Sequence, residues 1–206
     1  MPKLLKVPPT KSTLLDLRRQ VAFLQAGYEL LERKRELLTR LVYERLADYR
    51  EIRKEAHNVL TDAYQWLGIT HLRMGSRMLE QVGVGLPPAL SVRILPRSSL
   101  GVEYPSVTTD RLPLEPVSLL WTDMTFDQTR HRMVKLVEVL ASLGEAETAL
   151  RRLLAEQRKT QKRVNALRYN VIPRYRETLR FITSVLEEEE RNTLFQIKIL
   201  QESGQL

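Results

Sequence analysis

Apolar positions recur along the first third of the chain with the alternating three-and-four spacing of a heptad. From Leu14 the steps meet Leu17, Val21, Leu24, Tyr28, Leu31, Arg35, Leu38, Val42, Arg45, Tyr49, Ile52, Ala56, Val59, Ala63 and Trp66. Only Arg35 and Arg45 interrupt the stripe. A strand, whose side chains change face at every residue, does not hold such spacing. The pattern predicts one helix from about residue 12 to about 78, roughly 100 Å long at 1.5 Å per residue. Thr10 or Thr13 caps its start, and Thr13 with Asp16 has the capping-box spacing.

A second helical stretch is less regular. Met133, Leu136, Leu140, Leu143, Leu150, Leu154, Val164, Val171, Tyr175, Ile182, Val185 and Ile199 keep a seven-residue frame, which Glu147, Gln157, Gln161, Arg168, Thr178, Glu189, Asn192 and Gln196 interrupt. So many polar seam positions mean loose pairing, or apolar surface such as Leu167, Phe181 and Phe195 turned toward another protein. Pro173 removes a backbone donor and crowds the carbonyl of Tyr169, so a kink or break is expected there. Gly27 and Gly144 each cost a helix about 1 kcal/mol relative to alanine. Close approach of another chain or local bending accounts for them.

The prolines set the organisation. They fall at 2, 8 and 9, then at 87, 88, 96, 105, 113 and 116, then at 173, leaving two long stretches where helix runs without the ~3 kcal/mol penalty of an internal proline. The expected domains are an N-terminal coiled-coil arm over 1–82, a proline-rich head over 83–117 and a C-terminal arm over 118–206, together one elongated unit. In the head, Ser91–Leu95 and Val102–Tyr104 with Ser106–Thr109 lean to strand, and the turn-rich residues 96–101 link them, so a short hairpin is expected. A lone two-stranded hairpin is marginal in water and needs the helical tip or a partner to cover it. The fold class is therefore all-α: a long antiparallel two-stranded coiled coil of N- and C-terminal helices with a hairpin-containing middle. Neither arm is stable alone.

Composition narrows the function. The 206 residues carry 33 Lys+Arg against 25 Asp+Glu, a net charge of +8, and contain no cysteine, which excludes disulfides, thiol catalysis and thiolate metal sites. No stretch nears the ~20 apolar residues of a membrane span, and the N-terminus lacks the apolar core of a signal peptide, so a cytoplasmic location is expected. His57, His71 and His131 lack metal-type spacing, so no metal or cofactor is expected. Gly83-Val84-Gly85 lacks the Gly-Lys-Ser/Thr ending of a phosphate loop. The run Glu187–Glu190 fans outward from a helix instead of converging in a pocket. Arg151, Arg152, Arg158, Lys159, Lys162 and Arg163 crowd one stretch with only Glu156 opposing. This patch reads as a solvated face or a contact with an acidic protein surface; phosphate binding is the competing reading, although stacking aromatics are not interleaved with it. The arms are too polar on too many faces to insert in a membrane surface.

Particular residues point further. Lys162-Arg163-Val164-Asn165-Ala166-Leu167, followed by Tyr169, Val171, Ile172 and Pro173, resembles the RRVNALEY…IP signature of the D subunits, the central rotor shafts of V-type and archaeal-type rotary ATPases. Glu177, Thr178, Leu179, Phe181 and Ile182 continue it in kind, as do Glu187 to Arg191 with Phe195 and Lys198. Pro9-Thr10-Lys11 is similar to that family's N-terminal motif. Gly27, Leu30, Leu31, Lys34, Arg35, Glu36 and Leu38 match its glycine-then-LLKxKRDxL pattern. Arg168 departs from it, standing where the family has an acid. The resemblance implies a shaft without catalytic residues or cofactor, one copy per complex. It would stand inside a hexamer of catalytic A and nucleotide-binding B subunits. It would also bind the small stalk component F and the funnel-shaped subunit that seats it on the membrane ring, and couple ATP turnover to ion movement by rotation. It also implies contact roles for Pro9, Thr10, Lys11, Gly27, Lys34, Arg35, Arg163, Val164, Asn165, Ala166, Leu167, Ile172 and Pro173, no nucleic-acid ligand, and a place peripheral to the membrane. The other class left open by the residues is a basic coiled-coil adaptor or nucleic-acid-binding scaffold.

Overall fold

The computed structural model describes residues 4–117 and 122–203. Helix α1 (Lys11–Met74) is followed by a short α2 (Ser76–Val84), strands β1 (Leu90–Ser99) and β2 (Val102–Arg111), helix α3 (Met124–Ala166), a π-helical turn (Leu167–Val171) and helix α4 (Ile172–Ser203). Among the described residues the fold is all-α apart from one hairpin. Contacts gather into two units, one holding residues up to Leu37 with those from Gln157 onward, the other holding Leu38–Glu156.

The heptad reading of α1 holds along its length: all sixteen positions from Leu14 to Trp66 are buried or half-buried. Its start differs in detail. Thr10 is the cap, its Oγ1 accepting from the Thr13 N–H at 3.2 Å, while Thr13 Oγ1 accepts from the Thr10 N–H at 3.0 Å. The reciprocal box is therefore Thr10 with Thr13, not Thr13 with Asp16, because threonine takes the place glutamate or glutamine usually fills three residues into the helix. The helix also ends earlier than expected. Gly75 adopts a φ of 76°, which only glycine reaches without strain, and donates its N–H to the His71 carbonyl at 2.9 Å.

In the first unit, α1 pairs antiparallel with the C-terminal helical stretch. Lys11 meets Glu190 at 2.7 Å, Tyr28 and Ile172 line one cleft, and Arg35 reaches Gln161. The frame predicted for the second stretch needs correction. Thr160 and Thr178, one of them expected as an interruption, are 2% and 1% exposed, whereas Arg168 and Ile199 lie outside the seam. Thr178 suits burial because its hydroxyl donates to the Arg174 carbonyl at 2.9 Å, leaving its methyl for packing. Nor does Pro173 break the helix. The π turn directly before it, closed by an Ile172 N–H to Leu167 carbonyl bond, absorbs the missing donor with one extra residue.

In the second unit, α1 pairs antiparallel with α3. Arg132 binds Asp62 and stacks 4.7 Å over the Trp66 ring, and the hydroxyls of Thr70 and Thr129 lie 2.7 Å apart. Arg73 holds Asp123 at 2.8 Å. The hairpin is tighter than the sequence suggested: only Leu100 (φ 52°) and Gly101 (φ 76°) form the turn, with positive φ at both as a type I′ turn requires. Pro96 and Pro105 face each other across the ladder. Counting alternate pairs from the turn places them at a site without cross-strand bonds, where a missing N–H costs nothing. The hairpin lies along α3 instead of capping a helical tip. Arg152 donates to the Glu103 carbonyl, Glu145 accepts the Val107 N–H at 2.7 Å, and Glu138 pairs with Arg111. Val102 joins Leu38 and Leu153 in the core of this unit.

Candidate partner-binding surface

The thirteen residues singled out for contact come from both ends of the chain, and all of them fall in the first unit. Antiparallel pairing is what brings them together, since the beginning of α1 runs beside the end of α4. They are not alike in exposure. Val164 (1% exposed) and Ile172 (7%) are buried seam residues, and Leu167 and Pro173 are half-buried around the π turn. Arg163, Asn165 and Ala166 face outward, as do Pro9, Thr10 and Lys11. Asn165 Oδ1 accepts from Gln161 Nε2 at 2.8 Å, which ties the outward face to the seam. Lys34 and Arg35 are half-buried, Arg35 held by Glu32 at 2.5 Å. A Cβ added at Gly27 would meet nothing within 4 Å, so close approach within this chain does not explain that glycine.

Lys11 and Glu190 shape each other's chemistry across the end of the helix pair. The hydrogen bond and the charge of Glu190 raise the Lys11 ammonium above its ordinary value, and Lys11 lowers the Glu190 carboxyl by the same contact. Both stay charged at neutral pH.

The basic patch sorts itself in the structure. Arg151 is paired with Glu147 at 2.7 Å and Arg152 donates to the Glu103 carbonyl at 2.9 Å, so both serve the second unit's own packing. Arg158, Lys159, Lys162 and Arg163 are exposed, and none has an ion-pair partner among the described residues. Two features escaped the sequence reading. The N-terminal residues double back, the Leu5 N–H donating to Thr178 Oγ1 at 3.0 Å, with Pro8-Pro9 as the only hint of the reversal. The π turn was also unseen, although Pro173 marks its end. Arg168, the departure from the family pattern, lies 5.3 Å over the Tyr169 ring and lines a cleft of about 260 Å³ with Gln25, Tyr28, Glu29, Ile172 and Arg176.

Among the described residues no three His, Cys, Asp or Glu side chains gather as a metal site, and no helix is long and apolar enough to cross a membrane. His71 is engaged with Ser76 Oγ at 2.8 Å. Among the described residues, the cleft beside α2 is lined by Met78, Val82, Leu86, Pro87, Pro116 and Val117, with Glu115 as the ionisable group.

Comparison with known proteins agrees with the motif reading. The family model for the D subunit of ATP synthase matches residues 13–202. The D subunit of the V-type ATP synthase of Thermotoga neapolitana is 33% identical over 199 residues, covering 96% of this chain and 98% of that protein. The D subunit of the A-type ATP synthase of Pyrococcus furiosus is 31% identical over 202 residues, 96% and 94% of the two chains. That of Saccharolobus islandicus is 28% identical over 198 residues, 95% and 93% of the two chains. With paired terminal helices, a side-lying hairpin and this full-length similarity, the chain belongs to the family of ATP synthase D subunits.

Proposed function

We propose that this protein is the non-catalytic central shaft of a V/A-type ATP synthase or ATPase, turning between the A/B hexamer and the ion-translocating membrane ring. The observation that carries the reading is the long seam of α1, sixteen consecutive heptad positions buried or half-buried and broken only by Arg35 and Arg45. Torque transmission needs an element that resists twisting, and two long helices sharing a continuous apolar seam resist it better than either alone. A shaft also meets different faces of its bearing in turn. Exposed, flexible cations such as Arg158 and Lys162 suit that demand, since long side chains over an exposed surface give attraction without one deep binding pocket.

On this reading ATP is turned over in the A and B subunits and this chain supplies no catalytic group. The arms over 1–82 and 118–206 form the shaft, and the head over 83–117 meets the small stalk component F and the funnel-shaped subunit. The protein works on the cytoplasmic side, peripheral to the membrane, in one copy. The test is to measure native mass and ATPase rate of the A and B subunits of its own complex with and without this chain. One copy per hexamer with altered turnover is the expected result. Absence of binding between folded components would favour a basic adaptor instead.

A further inference from the structure

The charge of the chain is distributed very unevenly between its two units. Residues 38–156 contain 15 Lys+Arg and 15 Asp+Glu, while residues 1–37 and 157–206 contain 18 against 10, so the first unit accounts for the whole net charge of +8. Within that unit the surplus is narrower still. Residues 12–37 with 157–186 hold 13 basic and 5 acidic side chains, and the residues beyond them hold 5 of each.

We infer that this stretch is a basic collar that seats in an acidic lining, partly apolar and contributed by protein, which surrounds both helices; it rests on the shaft reading and names the surface and chemistry by which the shaft is held. Three observations carry it. The cations are exposed and, among the described residues, without ion pairs: Arg18 and Arg19 on α1, and Arg158, Lys159, Lys162 and Arg163 on α3. Their placement is wide, since a 100° step per residue spreads the last four over an arc of about 140° and the first two belong to the other helix. A single acidic groove would satisfy only one side of that distribution. Finally, exposed apolar side chains lie among the cations. Phe23 (78% exposed), Leu30 and Leu37 repeat every seven residues on α1, and Phe181 stands on α4. A protein lining covers such side chains, whereas a phosphate backbone offers them nothing. Tyr169, a ready platform for a base, already has Arg168 over its ring at 5.3 Å.

The experiment compares three full-length proteins: the natural chain, a collar variant (Arg158→Glu, Lys159→Glu, Lys162→Glu and Arg163→Glu), and a control variant reversing Arg50, Arg53, Lys54 and Arg77, exposed cations of the neutral unit. Helicity and melting confirm that each folds, and association with the A/B hexamer is timed between about 50 and about 500 mM NaCl, a range over which screening shortens from about 14 to about 4 Å. The natural chain should slow at least about tenfold across that range. The collar variant should be slowed as much at low salt and lose its salt dependence, and the control should stay within about twofold of the natural chain. Equal loss in both variants, or salt-independent association of the natural chain, overturns the collar. If the natural chain does not bind the hexamer, the shaft reading fails, and titration with polyglutamate and with a 20-base-pair duplex decides the collar separately. Polyglutamate binding abolished in the collar variant sustains an acidic protein partner. Preference for the duplex, or no binding to either, overturns it.

Discussion

Arg35 on α1 and Gln161 on α3, each a polar break in its own helix's apolar stripe, meet one another: Arg35 Nη1 donates to Gln161 Oε1 at 3.2 Å. Glu32 holds the same guanidinium from the preceding turn at 2.5 Å, and Gln161 passes its amide on to Asn165. The two interruptions thus cancel at a single level of the antiparallel pair. Such a matched polar pair favours one register, since sliding either helix by a heptad would set Arg35 against Leu154 and Gln161 against Tyr28, or Gln161 against Val42 and Arg35 against Arg168.

Gln161→Leu should destabilise the chain by about 1 kcal/mol, because Arg35 keeps its burial and loses an acceptor. Arg35→Leu with Gln161→Leu should recover most of that loss while relaxing the choice of register. Urea unfolding of the two single variants and the double variant measures the coupling. A double variant whose loss equals the sum of the singles would show that the two residues act independently.

The hairpin is fastened through one small core. Leu38 and Leu153 are 0% exposed and Val102 is 7% exposed, packed with Leu41 and Val42. Leu153→Ala should cost about 2–5 kcal/mol, since helix backbones on either side cannot close the space. Val102→Ala should cost less, about 1–2 kcal/mol for two methyl groups, and should free β2 without disturbing the helix pair. Faster amide exchange over Val102–Arg111, with α1 and α3 unchanged, is the expected signature in the Val102 variant.

The α1 seam was legible in the sequence because its spacing never slips and because leucine, valine and isoleucine fill most of it. The C-terminal stretch was harder to read for two physical reasons. Threonine counts as polar in a pattern, yet Thr160 and Thr178 are buried because a back-bonded hydroxyl leaves only a methyl to pack. The π turn inserts a residue between Val164 and Ile172, which shifts the heptad frame and leaves Arg168 outside the seam it seemed to interrupt. The hairpin was foreseen but its seat was not, since Arg152 to Glu103 and Glu145 to Val107 are contacts between distant segments that no local spacing encodes. The expected contact role of Asn165 and Ala166 came only from likeness to a family, because exposed residues of these types carry no pattern of their own, whereas Arg163 also stood out in the basic stretch.

Gly27 should tolerate alanine with profit to stability. Its φ lies outside the left-handed range and a new Cβ would find open space, so Gly27→Ala should add about 0.4–1 kcal/mol by removing freedom from the unfolded chain. Gly27 precedes Tyr28, which lines the cleft at the π turn, so the variant also stiffens α1 beside the irregular turn of its partner. On the proposed shaft reading, if local bending there is used during turning, a complex assembled with the stabilised variant should turn over ATP more slowly. A higher melting temperature with unchanged turnover would leave the glycine without a role in rotation.

Acid should loosen the ion pairs of the second unit in a defined order of sign. The Arg111 guanidinium, by hydrogen bond and by charge, holds the Glu138 carboxyl below its ordinary value, and the hydrogen bonds from Arg73 and the Met124 N–H do the same for Asp123. A carboxyl depressed in the folded state favours folding above its unfolded value, about 4.3 for Glu and 3.9 for Asp, and that contribution fades as the pH falls through the lower folded value. Glu138→Gln should therefore unfold more easily than the natural chain at pH 7, with the two curves converging as the pH falls through the lowered folded value of Glu138. The loss should appear first at the open end of the hairpin, where Arg111 is anchored to α3 through Glu138. Denaturant midpoints across the acid range, read with amide exchange over Thr108–Arg111, test both statements. A gap between the two proteins that stays constant across the whole acid range would show that the glutamine acts through packing and not through lost charge.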